Sequence, residues 1–185
     1  LKVSKKRISQ KNEENVKENL LRMRNAWLFL IFIGAFAFFT SCDKKRVYDE
    51  YKPVNGGWDK DSTLVFKLGK LDSLQNYNLF INVRNNKDYN YRNLFLITEM
   101  RFPQGKVITD TLEYEMAAPD GTWLGTGFGD VKESKLWYKE NVSFTEPGEY
   151  RIAIKQAMRK NDQVDGIENL EGITHVGFRI EKDLQ

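Results

Sequence analysis

YNLFINVR, Tyr77–Arg84, sets Tyr77, Leu79, Ile81 and Val83 on one side of an extended chain and Asn78, Asn82 and Arg84 on the other. Side chains alternate faces along a strand, so one apolar and one polar row mean a strand half-buried against a core. The period returns where Leu64, Phe66 and Leu68 alternate with Val65 and Lys67, and where Val176, Phe178 and Ile180 alternate with Gly177, Arg179 and Glu181. Between these lie NLFLITEMRF (Asn93–Phe102), KVITDTLEYEM (Lys106–Met116), LWYKENVSF (Leu136–Phe144) and EYRIAIKQAM (Glu149–Met158). They are separated by Pro103-Gln104-Gly105, Pro119-Asp120-Gly121 and Glu146-Pro147-Gly148. Proline presets φ and glycine accepts the positive φ that reverses a chain. Short strands at this spacing, with hardly a helical stretch, predict an all-β fold: an antiparallel β-sandwich, jelly-roll or Ig-like, over residues 61–185. A barrel and a mixed α+β fold are the competing architectures.

Upstream of this body the composition changes. Eight Lys/Arg and three Asp/Glu precede Cys42, a net of +5, whereas 21 and 23 follow from there onward, a net of −2. The basic balance belongs to the leader, so no nucleic-acid partner is expected. AWLFLIFIGAFAFF, Ala26–Phe39, is 14 uncharged residues, short for a membrane span of roughly 20 but suited to the apolar region of a signal peptide. Arg22 and Arg24 flank it on the positive side, and Thr40-Ser41 supplies small residues for processing. Residues 23–41 are therefore expected to be a signal peptide with translation starting at Met23, and residues 1–22 a gene-model extension or a basic flank. Residues 42–60, rich in charge and containing Pro53 and Gly56-Gly57, read as a tether.

Cys42 is the only cysteine. An exported chain with one thiol makes no internal disulfide, and its place behind the apolar run resembles the lipobox of bacterial lipoproteins. There a thiolate attacks the lipid donor and the new amino terminus is acylated, chemistry that suits Cys and not Ser. Diacylglycerol plus an N-acyl chain (palmitate and its like), at ~0.8 kcal/mol per buried CH2, exceeds what stable anchoring needs. Phe39 departs from the aliphatic residue usual three places before such a cysteine. No other cofactor is expected.

The body offers little to catalysis. His175 is the only histidine, and Gly-x-Ser-x-Gly, His-x-x-x-His and Cys-x-x-Cys are absent. PDGTWLGTGFGD, Pro119–Asp130, lacks the lysine and following helix of a phosphate loop, and its Asp120 and Asp130 lack the ligand alternation of a calcium loop. It reads as a long rim loop anchored by Trp123. Were the rim to bind a ligand, Asp120, Asp130, Trp123 and Trp58 would be the candidates, Trp58, Trp123 and Trp137 inviting a pyranose face, although on a sandwich of this size most tryptophans fill the core or seal its ends. Asp61-Ser62-Thr63, Asp72-Ser73-Leu74 and Asp110-Thr111-Leu112 each resemble a short O-glycosylation sequon.

VYDEY (Val47–Tyr51), NGGWDK (Asn55–Lys60), YNLFINVRNNKDY (Tyr77–Tyr89), the block from Phe102 to Phe144 and EGITHVGFRIE (Glu171–Glu181) together resemble the gliding-motility lipoprotein GldH family. The resemblance implies a non-enzymatic, lipid-anchored accessory protein of the gliding apparatus of Bacteroidetes-type bacteria, linked to type IX secretion and partnered by other proteins of that machinery. Only Cys42 carries over, as the lipidation site. A periplasmic or surface glycan-binding lipoprotein is the alternative. Lys44-Lys45-Arg46 lacks the acidic run associated with surface export, so the periplasmic face of the outer membrane is the expected location.

Overall fold

The computed structural model describes residues 21–23, 43–160 and 163–184. Cys42 and most of residues 1–22 and 23–41 lie outside the described residues, apart from Leu21, Arg22 and Met23, which are helical. The strands lie within one compact unit, Lys45–Gln185. In chain order they are β1 (Arg46–Pro53), β2 (Trp58–Asp59), β3 (Leu64–Leu68), β4 (Asn76–Asn85), β5 (Asn93–Arg101), β6 (Val107–Glu115), β7 (Lys132–Ser143), β8 (Tyr150–Gln156), β9 (Asn169–Leu170) and β10 (Ile173–Lys182).

Eight of them form two four-stranded antiparallel sheets, β1-β10-β4-β7 in front and β3-β8-β5-β6 behind, while β2 and β9 pair alone. The pairing is nested: β1 with β10, β3 with β8, β4 with β7, β5 with β6. Successive pairs alternate between sheets, so the chain is a long antiparallel hairpin wrapped into a sandwich, the jelly-roll and not the Ig-like option. Each sheet turns its apolar phase inward. Tyr77, Leu79, Ile81 and Val83 of β4 and Val176, Phe178 and Ile180 of β10 meet Phe66, Leu94, Leu96, Met100, Ile152 and Ile154 from behind. Phe178 is central, its ring 6.1 Å from Phe66, 6.3 Å from Tyr138 and 6.4 Å from Tyr48.

The tether expected over residues 42–60 is corrected by these pairings. β1 occupies Arg46–Pro53 against β10, Trp58 opens β2 and is 1% exposed, and the domain begins some fifteen residues earlier than position 61. Charge in β1 disguised the strand. Asp49 stands directly opposite Arg179 and accepts from it through Oδ2 (2.8 Å), so a cross-strand partner offsets much of the cost of placing its charge in the sheet.

The free edges of β6 and β7 lie near each other and are bridged by side chains. Tyr114 Oη donates to the Trp137 carbonyl (2.6 Å), and the Asp110 carboxylate accepts from Tyr138 Oη (2.8 Å) and Lys139 Nζ (2.9 Å). Such bridges occupy an edge that would otherwise invite another chain. Burial works against the Asp110 charge, but the Lys139 and Tyr138 bonds outweigh it and hold the carboxyl below its usual range.

Candidate functional site

The front sheet's outward face carries more than solvent-directed polar residues. Register sets Tyr51, Gly177, Asn82 and Lys135 in one cross-strand row, and Asp49, Arg179, Phe80 and Trp137 in the next. Gly177 is what opens the first row: a Cβ there would lie 2.9 Å from the Tyr51 ring. The ring crosses that gap, and its hydroxyl accepts from Asn82 Nδ2 (2.9 Å) and donates to Glu133 Oε1 (3.0 Å). Arg84 lies 4.2 Å over the same ring and donates from Nε to Glu133 Oε2 (2.6 Å). Burial first, then the Glu133 bond, pushes the Tyr51 hydroxyl up to about 12.

In the second row Arg179 donates from one terminal nitrogen to Asp49 Oδ2 (2.8 Å) and from Nε to Glu181 Oε1 (2.6 Å), which also receives Lys135 Nζ (2.6 Å). Burial raises the Glu181 carboxyl, yet Lys135 and Arg179 outweigh it and leave the group below its ordinary range. Phe80 is 4% exposed on this outward side because Lys135 Nζ lies 3.9 Å over its ring and the Trp137 ring packs against it, tilted at 51°, with its centroid 4.5 Å away. Trp137 itself is 55% exposed. The buried Oδ1 atoms of Asp49 and Asn82 have no hydrogen-bond partner among the described residues. The result is a charge-balanced surface with fixed side chains, suited to recognition.

Glu133 extends that surface into the β6–β7 loop. Its backbone exchanges two hydrogen bonds with Thr126 (2.8 and 2.7 Å), closing a small hairpin. Lys132 Nζ donates to the Gly127 carbonyl (2.8 Å), and Gly127 and Gly129 take φ of 146° and 67° that other residues resist. The tip carries Phe128, fully exposed, with Leu124 and Val131 also exposed on the same loop.

The residues proposed from sequence scatter around this surface. Asp120 accepts from the Thr122 N–H (2.9 Å) in a local turn, and this bonding lowers its carboxyl below the usual value. Asp130 is exposed in the tip of the hairpin. Trp123 is partly buried with its ring 6.1 Å from Tyr89, the position of a loop anchor. Trp58 is corrected: it is buried, and its Nε1 donates to the Ser62 carbonyl (3.2 Å), leaving no face for a ligand. His175 Nδ1 lies 3.3 Å from the neighbouring Thr174 hydroxyl, and no group of three metal-ligating side chains occurs among the described residues. Phe80 and Trp137 were missed as a pair, although both had a signal: each is an aromatic in the polar phase of an alternating strand.

Residues 46–180, the span from the start of β1 nearly to the end of β10, match the GldH lipoprotein family. The chain belongs to the GldH lipoprotein family. A Christiangramia forsetii protein named gliding motility lipoprotein GldH homolog is 66% identical over 160 residues, 86% of this chain and 98% of that one. The Flavobacterium johnsoniae gliding motility lipoprotein GldH is 53% identical over 162 residues, 88% of this chain and 99% of its own. Among solved structures, that of infectious bursal disease virus Gx strain aligns with TM-score 0.31 and 12% identity over 75% of this chain and 31% of that one, a likeness on which nothing rests.

Proposed function

We propose that this GldH-family protein is a lipid-anchored, non-enzymatic component of the gliding motility apparatus, linked to type IX secretion and held on the periplasmic face of the outer membrane. The observation that carries the reading is the placement of Cys42: behind the apolar run and its small Thr40-Ser41 pair, and four residues before the first strand of a domain that belongs to a lipoprotein family. The acyl groups supply the membrane affinity, and the rigid front face with its hairpin supplies the recognition. Replacing Cys42 with Ser in a Flavobacterium johnsoniae strain lacking its own relative tests this. Wild-type protein should sediment with membranes and restore colony spreading and adhesin export. The Cys42→Ser chain should appear soluble or as unprocessed precursor and restore neither; full complementation by a soluble Cys42→Ser domain would overturn the anchor.

A second reading, an envelope glycan-binding lipoprotein, draws support from Trp137, whose exposed indole stands beside a shallow depression of about 260 Å³ lined also by Asn78, Lys135 and Glu181. It requires that Trp137→Ala abolish retention on a polysaccharide that the wild-type domain binds. Spreading should then survive the substitution.

A further inference from the structure

The two ends of the sandwich are distinguished by where the chain enters. Arg46 lies opposite Glu181, Tyr77 opposite Lys182 and Asn76 opposite Ser143, so these positions share one end. Pro53 with His175, Ile173 with Asn85 and Asn85 with Lys132 mark the other, where the β6–β7 hairpin joins β7. Strands of ten residues at about 3.3 Å each separate the ends by roughly 30 Å. Four residues lead from Cys42 to Arg46, a reach of at most about 15 Å when extended. A lipid on Cys42 thus brings the bilayer to the Arg46 end, and the Phe128 hairpin leaves from the opposite one.

The hairpin's chemistry also argues against a bilayer as its occupant. Residues 116–131 contain Asp120 and Asp130 and no Lys or Arg, and the adjacent Lys132 amine is bonded to the Gly127 carbonyl at the hairpin's base. Membrane-inserting elements pair apolar residues with cations that meet lipid phosphate; here the charge carried beside Phe128 at the tip is the Asp130 carboxylate. An exposed aromatic on a loop already fixed by its own hydrogen bonds is the form of an interface anchor, because little ordering entropy remains to be lost on docking. Fixation continues inward through Glu133 to Arg84 and Tyr51.

We propose that Phe128 is the anchor with which this domain docks into an apolar, basic-rimmed pocket on a protein standing away from the anchoring bilayer. The orientation rests on the lipid reading of Cys42; the docking chemistry rests on the hairpin. The test places Phe128→Asp and Asp130→Lys in the full-length chain in the Flavobacterium johnsoniae background, with a photo-crosslinking residue at position 128 and, as a control at the other end, at the exposed Leu74. Phe128→Asp should leave membrane-bound abundance and melting temperature unchanged while reducing spreading at least tenfold. Position 128 should crosslink a protein that position 74 does not. That protein, identified by mass spectrometry and purified, should bind the wild-type chain at least tenfold more tightly than either variant. Spreading within twofold of wild type overturns the proposal, as does an adduct with lipid, an adduct with a second copy of this chain, or Phe128-dependent binding of the Cys42→Ser chain to phosphatidylethanolamine–phosphatidylglycerol vesicles. Intact mass of the same preparations reads lipidation separately: an unacylated Cys42 overturns the anchor alone, and the Phe128 contrast still decides the docking.

Discussion

The end of the sandwich where the chain enters and the end that carries the hairpin are built from the same eight strands but connected differently. At the entry end the links are short: 69–75, 102–106 and 144–149, around an open groove of about 450 Å³ walled by Leu68, Leu71, Phe144 and Tyr150. At the far end the chain spends residues 116–131 on one connection and seals it with backbone bonds, glycines and the Glu133 junction. Long surface loops are retained in compact domains chiefly where they do something. The contrast teaches that the entry end is closed economically, whereas the far end is elaborated and rigid.

The largest effect that bears on this contrast comes from the shared core. Phe178→Ala removes the ring that touches both sheets and should cost about 3–5 kcal/mol, seen as one cooperative transition in urea that melts both ends together. Separate transitions would mean that the ends are independent units and would undo the comparison.

A pair of glycine substitutions sharpens it. At the far end, Gly172 has φ of 83° and a Cβ there would lie 2.1 Å from the Tyr89 backbone nitrogen. Gly172→Ala should therefore cost at or above the top of the ~1–3 kcal/mol range for a strained backbone, since backbone must move as well. Gly105, in the entry-end β5–β6 turn, has φ of 93° with nothing within 4 Å. Its alanine variant meets only the dihedral cost, about 1 kcal/mol. Equal losses in thermal denaturation would remove this contrast between the two ends.

Alkaline titration probes one tyrosine of each sheet, Tyr51 on β1 of the front sheet and Tyr114 on β6 of the rear one. Tyr51 and Tyr114 are both pushed up to about 12, Tyr51 by burial and Glu133, Tyr114 by burial and Asp110. A hydroxyl that keeps its proton longer when folded contributes stability in full below pH 10, the unfolded value, and loses it as pH rises through the folded one. Melting temperature should fall between pH 10 and 12, with tyrosinate absorbance rising together with unfolding. Ionisation of these groups near pH 10 in a folded chain would contradict the structure. The smallest effect is that of Tyr114→Phe, which deletes one hydrogen bond across the β6–β7 edge and should cost about 1 kcal/mol in urea denaturation.

Much of the fold could be read in advance because alternation reports burial directly. Tyr77 to Val83, Leu64 to Leu68 and Val176 to Ile180 are strands with the expected faces inward. The reading stopped short at β1. Its Asp49, Glu50 and Lys52 look like linker charge until their partners Arg179 and Tyr48 are in view, and those partners come from pairing across 130 residues or from a neighbour's ring. Trp58 failed for a related reason: an indole beside a Gly-Gly turn reads as exposed, and only the β2–β9 pairing shows that it closes the core.

The sequence by itself determined the all-β class, the turn positions, the lone Cys42 behind its apolar run and the family, because each depends on residue type and near-neighbour spacing. The tertiary structure alone decided the jelly-roll wrap, the enclosure of Phe80 beneath Lys135 and Trp137, and the separation of the Phe128 hairpin from the Arg46 end. Those depend on which distant strands pair and in what register, and local periodicity says that a strand has two faces without saying what will stand beside it.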